Sequence, residues 1–140
     1  PAFAALALTL PSENYLGQLM EVIDVDGIHA ARNLVRASIG RTHRDALLAT
    51  YRANAEQGEF SVSPDAIGRR ALKNAALAYL MAADDSDGKA LALAQYRTAT
   101  GMTDVITALA LIADSDMPER ADALATFAAK WKDEALVMDK

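Results

Sequence analysis

Between Ser63 and Ala83 the chain spells out a helix start followed by a long apolar run that nothing breaks. Ser63-Pro64-Asp65 supplies a hydroxyl that can cap, a proline whose φ is already helical, and an acid facing the positive end of the helix dipole. Downstream, Ile67, Ala71, Leu72, Ala75, Leu80 and Met81 recur at helical spacing, and polar residues nearly vanish after Asn74. A helix patterned this way must be covered on more than one side. The segment therefore predicts a central helix with other helices wrapped around it.

The same logic extends over most of the 140 residues. Alanine is abundant, β-branched runs are short, and Pro and Gly stand where helices can begin and end. The expected elements are an opening helical turn, a helix from Pro11 to about Met20 with Ser12 and Glu13 in its first turn, and a third capped by Asp24 or Asp26. In the third, Ile28, Ala31, Val35 and Ile39 form one face while Arg32, Asn33 and Arg36 point elsewhere, and Gly40 is expected to end it. A fourth carries Leu47, Leu48 and Tyr51 before a loop at Gln57-Gly58-Glu59. Beyond the central helix lie a turn at Asp84 to Gly88, a helix through Leu91 and Tyr96 to about Thr98, one capped by Thr103, and one opened by Asp116, Pro118 and Glu119 in a box-like cap. Tyr15, Tyr51, Tyr79, Tyr96 and Trp131 are assigned to the core.

Short connections make successive helices antiparallel neighbours. The fold class is all-α: about seven to eight helices in hairpins stacked as a HEAT/armadillo-like α-superhelix. Ala76-Leu77-Ala78 and Ala108-Leu109-Ala110 recur about one helix pair apart, in keeping with a degenerate repeat. Residues 1–140 are read as one all-α segment. A start at Pro1 without Met, and an apolar run Leu136-Val137-Met138 near the other end, lead to the expectation of a fragment.

Chemistry has few candidates. With no Cys there is no disulfide, thiolate ligand or thiol nucleophile, which fits a reducing, cytoplasmic compartment. A net charge of −5 with interspersed Lys and Arg gives no footprint for nucleic acid, and the apolar stretch Ala2–Leu8 is too short to span a membrane. His29 and His43 lack the i, i+4 spacing of a zinc helix. Asp84-Asp85-Ser86-Asp87-Gly88 and Asp24-Val25-Asp26-Gly27 fail the EF-hand pattern, because Ala83 and Val22 occupy the first ligand position and Ala94 and Asn33 the last. They are read as caps and turns. Arg69, Arg70 and Lys73 form a basic patch read as a solvated or ion-paired helix face that could also grip a carboxylate. No catalytic, cofactor-binding or metal residue is assigned.

Four segments, in order, resemble the C-terminal helical domain of bacterial aminopeptidase N, a family of zinc metallopeptidases of the gluzincin type. They are Leu8–Glu13 (LTLPSE), Ser63–Asn74 (SPDAIGRRALKN), Met102-Thr103-Asp104 and Leu136–Lys140 (LVMDK). The resemblance implies a parent enzyme that removes N-terminal residues from peptides with a zinc-bound water and a general-base Glu. Its His-Glu-x-x-His and Gly-x-Met-Glu-Asn motifs are absent here. The implied partner is the catalytic domain of the same polypeptide. The implied role is to cover that domain, enclose its cavity and limit which peptides enter. The alternative from the residues is a stand-alone helical-repeat module that binds a protein or peptide on its concave face.

Overall fold

The computed structural model describes residues 1–55 and 60–139. Among them are nine helices and no strand: α1 Ala2–Ala7, α2 Glu13–Gln18, α3 Val25–Thr42, α4 Arg44–Ala53, α5 Pro64–Ala82, α6 Ser86–Thr98, α7 Met102–Ala113, α8 Arg120–Trp131 and α9 Ala135–Met138. The chain resolves into two compact units, Pro1–Gly88 and Lys89–Lys140, with the boundary inside α6. The expected loop at Gln57-Gly58-Glu59 lies outside the described residues.

In the first unit α5 packs against α1, α3 and α4. It starts as expected: Ser63 is extended (φ −60°, ψ 150°), its Oγ accepts the Ala66 N–H at 3.3 Å, and Pro64 opens the first turn. Leu77 and Leu80 are fully buried, and Leu47, Leu48 and Tyr51 are buried on α4, which packs against α5. The buried set is not the stripe expected from periodicity. Ile67 is 51% exposed, whereas Arg70 and Lys73 are each 5% exposed. Three packed neighbours rotate the apolar demand around the axis, and cation-π contacts let charged heads go inside. The Arg70 guanidinium lies 4.6 Å from the Phe60 ring centroid and donates to the Ser61 carbonyl at 2.7 Å. Lys73 Nζ lies 5.9 Å from the Tyr51 ring.

Gly40 does not end α3. The helix continues to Thr42, and Gly40 sits buried at its crossing with α5. A Cβ there would overlap the Tyr79 carbonyl oxygen and come within 2.7 Å of Ala83 Cβ. The glycine serves backbone approach rather than termination. Gly68 does the same for α1, where a Cβ would stand 2.9 Å from Ala2 N.

Other boundaries are set by local capping and turn geometry. Ser12 precedes α2 as its cap, accepting from Tyr15 N at 3.1 Å, so the helix begins at Glu13. Asp24 caps α3 through Gly27 N at 2.9 Å. Asp84 takes the left-handed conformation (φ 59°), and Asp85 Oδ1 accepts the Gly88 N–H at 2.9 Å, so α6 is under way by Ser86 and the turn is shorter than expected.

In the second unit α8 packs against α7 and α9. Ala92, Ala108 and Ile112 are fully buried. Tyr96 donates its hydroxyl to Ala123 O at 2.8 Å, and Gln95 Nε2 donates to Asp104 O at 3.1 Å. Thr103 is not the cap of α7: Gly101 holds that position without a side-chain bond. Nor do Asp116 and Glu119 form a capping box, since α8 begins at Arg120 with no side-chain cap. Trp131 closes the end of α8 beside Phe127, ring centroids 6.4 Å apart.

Candidate functional site

Three polar clusters and one apolar groove in the first unit have the character of a site. At the α2–α3 corner, His29 Nδ1 and Glu13 Oε1 are 2.9 Å apart, and His29 Nε2 and Asn33 Nδ2 are also 2.9 Å apart. One imidazole and one carboxylate fall short of the three protein ligands that a catalytic zinc requires. His43, the other histidine, sits at the α3–α4 junction. Among the described residues no three His, Asp or Glu side chains converge on a point where a metal could bind. The described residues offer no ligand set that fits the zinc that the resemblance attributes to the parent.

The second cluster surrounds Arg44. Its Nε donates to Asp85 Oδ2 at 2.5 Å, Nη2 to Asp87 Oδ2 at 2.6 Å, and Nη1 to Asp45 Oδ1 at 3.1 Å. Burial pushes the Asp85 carboxyl upward, but the Gly88 N–H and the Arg44 guanidinium outweigh it and hold the group below its ordinary range. The same carboxylates raise Arg44. The bonds to Asp85 and Asp87 tie the start of α4 to the start of α6, which is a structural clamp. The two acidic loops that superficially suggest calcium thus act as caps and as this clamp.

Arg32 and Arg36, one turn apart on α3, form the third cluster. With Tyr79, Thr9, Leu8, Leu10, Ala75 and Ala78 they line a cavity of about 290 Å³. Arg32 Nε donates to Pro11 O at 2.6 Å, and its Nη1 stands 4.0 Å from Glu13. Tyr79 donates its hydroxyl to Leu8 O. Burial raises the Tyr79 phenol, against the opposing charges of Arg36 and Arg32. Adjoining it, Leu10, Leu16, Leu19, Met20, Ile28 and Val35 line an open apolar groove of about 570 Å³. The face expected to be packed, from Ile28 to Val35, borders this groove, and Val35 is 45% exposed. Tyr15 is likewise exposed rather than core.

Residues 1–140 match the family described as "Domain of unknown function (DUF3458_C) ARM repeats". The chain belongs to this DUF3458_C ARM-repeat family. Three curated relatives carry the name Aminopeptidase N. The protein from Escherichia coli is 35% identical over 140 residues, covering the whole chain and 16% of that protein. The one from Caulobacter vibrioides is 39% identical over 141 residues, again the whole chain and 16% of the relative. The one from Haemophilus influenzae is 35% identical over 137 residues, 98% of the chain and 15% of the relative. The DUF3458_C chain thus spans about one-sixth of the length of these relatives, and the all-helical structure agrees with the ARM-repeat description.

Within this ARM-repeat chain the basic patch expected on α5 does not exist as a face. Arg69 pairs with Asp65 at 3.2 Å, while Arg70 and Lys73 turn inward. The open cations sit instead on α3. An i, i+4 arginine pair flanking an apolar stripe was the visible signal for them, and it reads the same as a solvated edge until the fold brings Tyr79 opposite.

Proposed function

We propose that this chain is a structural part of the C-terminal helical domain of a zinc aminopeptidase. In this reading it covers the catalytic domain of the same polypeptide and restricts which peptides reach it. The match that spans all 140 residues, to relatives named Aminopeptidase N that are about six times longer, carries the reading. The hydrolysis itself, with its zinc, its activated water and its general base, belongs to the remainder of that polypeptide. Peptides are its substrates, and a chain without cysteine suits a bacterial cytoplasm.

ARM repeats suit such a role because stacked helix pairs make an extended wall whose rigidity comes from close axis-to-axis packing. The α3–α5 crossing at Gly40 is one such contact. Gly40→Val in the longer polypeptide should loosen the wall while leaving catalytic groups untouched. Turnover of a single-residue amide should stay near wild type, while discrimination between short and long peptides falls. Equal loss of kcat/KM for both sizes would sink the access role.

A further inference from the structure

Arg36 is half-buried in the α3–α5 cavity, and among the described residues it has no hydrogen bond and no ion pair. The other polar groups lining the same cavity have spent their protons. Thr9 Oγ1 donates to Ala5 O at 3.0 Å, and the Tyr79 hydroxyl donates to Leu8 O. Arg32 has committed its Nε to Pro11 O, and its Nη1 is only within loose reach of Glu13. What remains unspent is the guanidinium fork of Arg36 and the outer edge of Arg32. No Asp or Glu lines the cavity.

Two like charges one turn apart repel. Partial burial strengthens that repulsion and removes the water that would screen it. In a chain with net charge −5, Arg44 has found three acids and Arg69 has found Asp65. A cavity with planar donors on one wall, apolar alanines on another and no acid of its own is complementary to a planar anion that accepts in a bidentate manner.

We propose that the Arg32–Arg36 cavity is a carboxylate-binding site. Its cavity volume of about 290 Å³ admits a small carboxylate or the end of an acidic side chain. The proposal goes beyond the aminopeptidase reading and does not depend on it. Two sources share the chemistry: a free small carboxylate, or an Asp or Glu side chain from the rest of the longer polypeptide.

The test follows the side-chain Nε–H signals of ¹⁵N-arginine in the 140-residue chain during titration with acetate and succinate at constant ionic strength. Far-UV circular dichroism reports that each variant is folded. The Arg36 signal should shift saturably while that of exposed Arg97 moves only with bulk salt. Arg36→Gln should abolish the saturable response. Arg36→Lys, which keeps the charge without the fork, should weaken it by about tenfold, as expected for loss of one charge-assisted hydrogen bond. The titration is repeated on the longer polypeptide. Binding in both assigns the site to a free carboxylate, and binding in the 140-residue chain alone assigns it to an acid of the polypeptide itself. An Arg36 response no larger than that of Arg97, or a saturable response that survives Arg36→Gln, overturns the proposal.

Discussion

α5 and the α2–α3 corner belong to the same compact unit and are built from similar apolar residues, yet they solve opposite problems. α5 is enclosed by α1, α3 and α4, with Leu77 and Leu80 fully buried. The corner leaves Leu19 67%, Val25 66% and Leu34 66% exposed, beside a cavity that no Asp or Glu lines. The difference separates stability from interaction. One region closes on itself, and the other presents apolar surface and charge that a self-contained core would have covered.

That contrast can be broken by substitution, and the largest effect belongs to α5. Leu77→Ala removes a side chain with no exposed surface and should destabilise the chain by about 2–5 kcal/mol in denaturant unfolding. A loss near zero would mean that α5 is not the core. Gly40→Ala inserts a methyl against the Tyr79 backbone and should cost about 1–3 kcal/mol, because the obstacle is a carbonyl rather than a flexible side chain. Ser63→Ala deletes the α5 cap for about 1 kcal/mol, while Ser63→Asp should retain it. Leu34→Ser in the open corner should change stability by no more than about 0.5 kcal/mol. A large loss there would erase the distinction between the two regions.

The Arg44 clamp sharpens the comparison through pH. The folded-state carboxyl of Asp85 lies below its unfolded value, so its contribution is present above the unfolded carboxylate pKa and is lost as pH falls through the folded one. Unfolding midpoints measured across the acid limb should therefore fall less steeply in Asp85→Asn than in wild type. Parallel slopes would show that the clamp does not stabilise the fold.

How far the sequence foretells this depends on whether a residue's job is local. The Ser63-Pro64-Asp65 start, the Asp24 cap and the buried Leu47-Leu48-Tyr51 trio are legible because capping and amphipathic burial act within a turn or two. Gly40 misleads because its reason is a backbone from α5, distant in sequence. Arg70 and Lys73 mislead for a related reason: their aromatic partners lie outside α5, Phe60 in the segment before it and Tyr51 on α4, so a buried cation looks like a surface one. The Arg32–Arg36 cavity exists only after Tyr79 is brought across from α5, so the pair alone gave no sign of a pocket. The family, by contrast, was legible from ordered segments such as Ser63–Asn74, and its match spans residues 1–140.

On the proposed reading this chain is a structural part of an aminopeptidase whose chemistry resides elsewhere in the polypeptide. The most direct test of that reading is to purify the 140-residue chain beside the longer polypeptide and measure bound zinc and release of N-terminal residues from peptides in both. Stoichiometric zinc and turnover are expected only in the longer polypeptide. Stoichiometric zinc with robust turnover in the 140-residue chain would contradict it.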